Sequence, residues 1–129
     1  MTLVKAFGEV VIDDSLSTSI TAAQGLIAAK RSSDRPILLV TSSSRRAEEL
    51  TDELSTYIGA DHVAYFPPWE TLPHERLSPK SDTIAARYKT LHAIVHSQAI
   101  RVVVTSVRGL IQPISGSLLS TELIHLELG

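Results

Sequence analysis

Residues 36–59, PILLVTSSSRRAEELTDELSTYIG, contain a complete strand-to-helix unit. The four apolar residues after Pro36, Ile37–Val40, form a continuous β-prone run that is typical of a strand buried on both faces of a parallel sheet. Ser43 or Ser44 is a suitable N-cap for the following helix, and Gly59 is a suitable residue to end it. Helical spacing between these two signals predicts one buried helix face, formed by Ala47, Leu50, Leu54, Tyr57 and Ile58.

The alternation of strands and helices continues on both sides of this unit. Short β-prone runs predict three further strands, at Val10–Ile12, Val63–Phe66 and Arg101–Thr105. Between the last two strands we predict a helix that Ser81 or Asp82 caps, with an apolar face formed by Ile84, Tyr88, Leu91 and Val95. This order of elements predicts an α/β fold, in which a parallel sheet carries helices on both faces.

The composition is that of a globular domain. The 129 residues are 43% apolar and 20% charged, and the formal net charge is −2. This charge gives no overall attraction to nucleic acid, although a local basic patch remains compatible with it. The chain has no cysteine, which excludes disulfides and cysteine metal sites and suits a reducing compartment. We therefore expect a cytoplasmic protein.

The turn after the first predicted strand is the place for a phosphate-binding loop, G-x-x-x-x-G-K-[ST]. Glycines in such a loop let backbone N–H groups close on the phosphates, and the lysine neutralises them. In residues 14–21, DSLSTSIT, Asp14 and Ser19 stand at the glycine positions and Ile20 stands at the lysine position, so only Thr21 matches. We therefore predict a degenerate phosphate loop and no bound cofactor in this chain.

Residues 69–79, WETLPHERLSP, form the most crowded polar segment of the chain. Its carboxylates and imidazole could serve as acid and base, whereas an aromatic ring and a guanidinium on a rigid loop suit a contact with protein or nucleic acid. The surrounding prolines favour a stiff structural loop or a domain contact over catalysis, so we predict no catalytic residue. The candidates for interaction are Trp69, Glu70, His74, Glu75 and Arg76.

Two further groups of residues have competing interpretations. His92 and His96 could present two nitrogens to zinc, but no third ligand stands at a characteristic spacing, so we predict no metal site. Basic side chains near helix starts could contact nucleic acid, although a solvated helix surface is the favoured interpretation. They are Arg45, Arg46, Arg87, Lys89 and Arg108.

Two segments together resemble one protein family. They are residues 66–94, FPPWETLPHERLSPKSDTIAARYKTLHAI, and residues 102–114, VVVTSVRGLIQPI. Both resemble the N-terminal region of bacterial transcription-repair coupling factor, in its actinobacterial form, and the resemblance extends over nearly the whole chain. It implies a module similar to excinuclease B, with a RecA-like α/β domain over residues 1–118 that has lost its nucleotide-binding loop. Residues 119–129 then form an exit strand or linker toward the next domain.

The resemblance also implies where the activities of the family lie. A motor far downstream hydrolyses ATP with magnesium and translocates on duplex DNA, a further domain binds RNA polymerase, and an adjoining domain recruits excinuclease A. For this chain we expect a non-catalytic scaffold or regulatory domain, whose direct partners are other domains of the same protein, with no membrane contact. A nucleotide-dependent helicase lobe and a domain that binds duplex DNA directly are the alternatives left open.

Overall fold

The structure is a computed structural model that describes Leu3 and residues 23–70 and 80–114. The helices are α1 (Gln24–Arg31), α2 (Ser44–Ile58), α3 (Ser81–His96) and α4 (Val107–Ile111). The strands are β1 (Ile37–Thr41), β2 (Val63–Phe66) and β3 (Val102–Ser106), and a 3₁₀ turn at Ala60–His62 precedes β2. Within these described residues, no helix has both the length and the apolar character needed to cross a membrane.

The three strands form a parallel sheet in the order β1–β3–β2. Val40 and Phe66 both pair with Thr105, so the three strands end side by side. We call this end of the sheet the carboxyl edge; it is formed by Thr41, Phe66 and Ser106. Every residue of β3 is buried, because helices cover the central strand on both faces. The predicted α/β fold with a parallel sheet and helices on both faces is confirmed.

Apolar side chains hold α1 and α2 against one face of the sheet. Ser43 caps α2 by accepting the N–H of Arg46 at 3.2 Å, and Gly59 ends it with a φ of 91°, both as predicted. Tyr57 was expected in the buried face but is 50% exposed, because its ring lies beside Gly25 of α1 rather than against the sheet. The buried cluster on this face consists of Ala28, Ala29, Leu39, Ala47, Leu50, Leu54, Val63, Val102 and Val104.

Helix α3 packs against the opposite face of the sheet with a surface that differs from the predicted one. Ile84 is 38% exposed and Val95 is 46% exposed, so the prediction of an apolar buried face was wrong for both. The residues of α3 that are buried are Thr83, Arg87, Thr90 and Leu91. Thr83, Arg87 and Thr90 form hydrogen bonds with groups at the end of β2 and in the residues after it. These bonds account for the burial of polar residues on this face of α3.

The start of α3 also differs from the prediction. Lys80 occupies the N-cap position, and its side chain makes no capping hydrogen bond. Ser81 and Asp82 are the first two residues of the helix itself, so neither of them is the predicted cap. An acidic residue in the first turn nevertheless suits the helix dipole.

Several predicted features lie outside the described residues, and they stay predictions. They are the strand at Val10–Ile12, the degenerate phosphate loop with Asp14, Ser19, Ile20 and Thr21, the interaction candidates His74, Glu75 and Arg76, and the segment 119–129.

Candidate functional site

Side chains at the carboxyl edge connect the ends of the three strands. The hydroxyl of Thr105, fully buried in β3, donates to the carbonyl of Phe66 at 2.8 Å. The hydroxyl of Ser44 donates to that of Ser106 at 3.5 Å, which links the start of α2 to the end of β3. Ser106 also caps α4 by accepting the N–H of Gly109 at 3.3 Å. The first turns of α2 and α4 and the segment after β2 are therefore held together.

Gly109 allows α4 to approach the end of β2 closely. A Cβ atom at this position would lie 2.5 Å from Oγ1 of Thr105 and 3.3 Å from the carbonyl oxygen of Phe66. Any larger residue would therefore disturb the hydrogen bond that joins Thr105 to Phe66. Gly109 therefore allows α4 to pack closely against Thr105 and Phe66 at the carboxyl edge.

The chain leaving β2 is held through three successive carbonyl groups. The carbonyl of Tyr65 accepts from the hydroxyl of Thr90 at 2.8 Å, and the carbonyl of Pro67 accepts from Nη1 of Arg87 at 2.7 Å. The bond from Thr105 to Phe66 lies between these two. Carbonyl groups that are removed from water need hydrogen-bond donors, and here side chains supply them. Helix α3 supplies two of the three.

Arg87 is the central residue of this arrangement. It is only 2% exposed, and its guanidinium lies 4.2 Å from the ring centres of both Phe66 and Trp69. Burial lowers the pKa of Arg87 to about 10, so the group remains charged at neutral pH. Among the described residues, Nη2 has no hydrogen-bond partner. The prediction of a solvated side chain was wrong for Arg87, because two aromatic faces and one charge-assisted bond replace its water.

The two interaction candidates that the structure describes, Trp69 and Glu70, both contact neighbouring elements. The N–H of Trp69 donates to Oε1 of Gln112 at 2.6 Å, and Nε2 of Gln112 donates back to the carbonyl of Trp69 at 3.4 Å. The carboxylate of Glu70 accepts from the hydroxyl of Thr83 at 3.2 Å and lies 3.6 Å from the ammonium of Lys80. These contacts fix the start of the 69–79 segment to α3 and to the residue after α4.

An open cleft of about 540 Å³ lies at the carboxyl edge, beside these residues. Its apolar and aromatic walls come from Tyr65, Pro67, Pro68, Trp69 and Ala86. Its polar lining consists of Ser44, Glu48, Glu70, Asp82, Thr83 and Arg108. Burial, and secondarily the negative charge of Glu48, raise the pKa of Tyr65. Among the described lining residues, three carboxylates stand against one guanidinium, and the ammonium of Lys80 is paired with one of these carboxylates, that of Glu70.

The other predicted candidates do not converge on the cleft. The rings of His92 and His96 lie 4.5 Å apart at a tilt of 39° on α3. Across the part of the chain that the structure describes, no group of three or more histidine, cysteine or acidic residues could hold a metal ion. Arg46 is bound to Glu49 and Glu53 of its own helix, at 3.4 Å and 3.1 Å. Of the basic candidates, Arg108 alone lines the cleft.

Sequence reasoning missed the contacts that three polar side chains of α3 make with the end of β2 and the chain leaving it. Thr83, Arg87 and Thr90 stand four and three residues apart, which places them on one face of α3. The helical spacing of these three polar residues could have indicated that this face of α3 is buried. The prediction used the neighbouring apolar residues instead. Nothing in the sequence pattern indicates the roles of Gln112 and Gly109, because their partners at the end of β2 are distant along the chain.

Comparison with curated proteins finds relatives that share one name. "Transcription-repair-coupling factor" of Mycobacterium bovis (strain ATCC BAA-935 / AF2122/97) is 41% identical over 114 residues, which cover 84% of this chain. The protein of the same name from Mycobacterium tuberculosis (strain CDC 1551 / Oshkosh) gives the same values. That of Rickettsia bellii (strain RML369-C) is 25% identical over 81 residues, or 63% of this chain and 7% of the relative. No family model matches the chain.

The matched region is a small part of these relatives. The chain spans about 9% of the length of the two mycobacterial proteins. Similarity over so small a share concerns this region of the relatives alone.

Proposed function

This chain is a homologue of part of the transcription-repair-coupling factors, and from that premise we propose a function for it. It is a non-catalytic scaffold or regulatory domain of an ATP-dependent DNA translocase. That translocase couples the removal of stalled RNA polymerase to nucleotide excision repair, in the cytoplasm. Within it, this domain carries no ATPase activity of its own.

The observation that carries the proposal is the chemistry of the carboxyl edge. In open α/β sheets, ligands bind outside the carboxyl ends of the strands. Here that edge is lined by Glu48, Glu70 and Asp82, whose charges repel a polyphosphate, with Arg108 as the one cation among the described lining residues. Arg87, which could otherwise neutralise a phosphate, is buried between two rings. This lining supports the proposal that the described part of the edge binds neither ATP nor the DNA backbone.

The sequence supports the same proposal from a second direction. Asp14, Ser19 and Ile20 replace the glycines and the lysine of a phosphate-binding loop, and Thr21 alone agrees with it. ATP and magnesium then belong to the motor of the longer protein. The role of this domain is to support the adjoining domain that recruits excinuclease A, while RNA polymerase and DNA contact other parts of the protein.

Isothermal titration calorimetry of the 129-residue chain with ATP and magnesium tests the proposal. We expect no saturable heat, and binding in the micromolar range would overturn it. The Thr21→Ala variant is the matched control, because loss of a nucleotide signal in that variant would assign binding to the loop and favour a helicase lobe. Salt-dependent retention of duplex DNA by the unmodified chain would instead favour direct DNA binding.

A further inference from the structure

Strand β2 lies at one side of the described sheet, where it pairs with β3 and with no other described strand. The backbone groups of Ala64 and Phe66 face β3, so the N–H and C=O groups of Val63 and Tyr65 point outward. An outer strand of this kind is a template on which a further strand can pair. Such pairing requires that the outward N–H and C=O groups be free.

Two of the outward groups of β2 are already bonded within the chain. The N–H of Val63 donates to the carbonyl of Ala60 in the preceding 3₁₀ turn. The carbonyl of Tyr65 accepts from the hydroxyl of Thr90, a residue of α3 that is 5% exposed, at 2.8 Å. A ladder with an added strand uses the donor and the acceptor of each outward residue, so each of these bonds removes one group that the ladder needs.

The residue after β2 and a lysine of α3 extend this closure. Pro67 has no N–H to donate, and its carbonyl accepts from Nη1 of Arg87 at 2.7 Å. Lys89, an exposed residue of α3, lines a cleft of about 350 Å³ together with Val63 and Tyr65. A lysine beside an outer strand disfavours pairing, because the approach of another strand would remove its charge from water.

We propose that α3 closes the outer side of β2 to strand pairing with a second copy of this chain. It does so through the hydroxyl of Thr90, which occupies the acceptor of Tyr65, and through the charge of Lys89. Two copies related by a two-fold axis would pair β2 with β2, so a group that is freed in one copy is used in both. The contact that holds β2 to α3 therefore also prevents self-association of the domain. The inference does not depend on the proposed function.

Sedimentation velocity of the 129-residue chain over a series of protein concentrations tests the inference. The double variant Thr90→Val, Lys89→Ala frees the carbonyl of Tyr65 and removes the charge, while it keeps the shape of the side chain at position 90. The freed carbonyl forms one bond in each copy of a symmetric dimer, so the dimer dissociation constant should fall at least about tenfold below that of the parent. Thr90→Ser retains a hydroxyl and should associate no more than the parent.

A matched control separates the opening of β2 from a general loss of stability. Ile58→Val shortens a side chain that packs against the buried cluster on the opposite face of the sheet, so it destabilises the fold without freeing a group of β2. Urea unfolding compares the stability losses of the two variants. Amide hydrogen exchange locates the contact: the outward N–H of Tyr65 should exchange more slowly at high protein concentration in the double variant alone.

Three results would overturn the inference. They are unchanged association of the folded double variant, equal association of Ile58→Val, and association of the double variant without slower exchange at Tyr65. Each of them leaves the proposed function standing, because that function is tested by the titration with ATP. Micromolar binding of ATP would in turn overturn the proposed function and leave the closure of β2 unaffected.

Discussion

Helices α2 and α3 cover opposite faces of one sheet and are held there by different interactions. Helix α2 buries Ala47, Leu50 and Leu54, while α3 buries two threonines and an arginine beside Leu91. The difference follows from what each helix crosses. Helix α3 passes the end of β2, where the carbonyls of Tyr65 and Pro67 accept hydrogen bonds from its side chains, whereas the buried residues of α2 are apolar and pack over paired strands. A helix beside a strand exit must supply hydrogen bonds as well as apolar surface.

The largest expected loss of stability comes from removing an apolar side chain that α2 buries against the sheet. Leu54 is fully buried in α2, so Leu54→Ala should lower the free energy of unfolding by about 2–5 kcal/mol through lost contacts and a cavity. Urea unfolding followed by far-UV circular dichroism measures it. Tyr57→Ala, three residues along the same helix and half exposed, should cost clearly less. Equal losses at the two positions would contradict the assignment of the buried face.

Replacing the buried Arg87 tests the polar contacts of α3. Arg87→Met keeps apolar contact with both rings but leaves the carbonyl of Pro67 without its donor, so it should lower the free energy of unfolding by about 1–3 kcal/mol. Arg45→Met, at a side chain that is 90% exposed, should have almost no effect. A larger loss for the Arg45 variant than for the Arg87 variant would contradict the assigned role of α3.

The pH dependence of the Arg87→Met effect follows from the lowered pKa. Burial lowers the pKa of Arg87 to about 10 in the folded chain, well below its ordinary value. Both states are protonated below about pH 9, so the cost of the substitution should be constant from about pH 6 to pH 9. Above about pH 10 the unfolded state binds more protons than the folded state, so the parent should gain stability relative to the variant. Denaturant unfolding at several pH values measures this difference.

A smaller effect is expected when one hydroxyl donor of α3 is removed. Thr90→Val keeps the shape of the side chain but removes the bond to the carbonyl of Tyr65, which should cost about 1 kcal/mol. Thr56→Val removes an exposed bond to the carbonyl of Asp52 within α2 and serves as the matched control. If both variants unfold at the same urea concentration, the donors of α3 do not stabilise the end of β2.

The smallest change in stability is expected for a substitution on the exposed surface of α2. Hydrogen bonds from Arg45 and then Arg46 lower the pKa of Glu49, so the carboxylate contributes stability above its ordinary pKa of 4.5 that is lost as the pH falls through the folded value. Glu49→Gln should therefore be slightly less stable than the parent at neutral pH and equal to it in acid. Added salt should also reduce the difference, because the side chain of Glu49 lies at the surface in contact with solvent. Thermal unfolding at two pH values, with and without salt, measures it.

The sequence predicted the parts of the fold that periodicity and local signals determine. The limits of β2 agree with the prediction, β1 extends one residue further to Thr41, and β3 is displaced by one residue. The cap and the end of α2 were predicted because a capping serine and a terminal glycine act locally. These features depend on neighbouring residues alone, so one sequence suffices to identify them.

The buried face of α3 and the geometry of the cleft could not be predicted in this way. Arg87 is buried because Phe66 and Trp69, about twenty residues earlier in the chain, bring their rings to its two sides. The hydrophobicity of α3 favours Ile84 and Val95 for burial, and only the three-dimensional path of the chain after β2 reverses that preference. Glu48 and Asp82 likewise become one acidic cleft only after two helices have packed on the sheet.

Fluorescence of the single tryptophan tests the central claim most directly, which is that α3 holds the chain leaving β2 through Arg87. The measurement is the emission maximum of Trp69 in native Arg87→Ala, with Arg45→Ala as control and far-UV circular dichroism to confirm the fold. Loss of the guanidinium should expose the ring, so we predict emission at longer wavelength in Arg87→Ala alone. Unchanged emission in a folded Arg87→Ala variant would contradict the account.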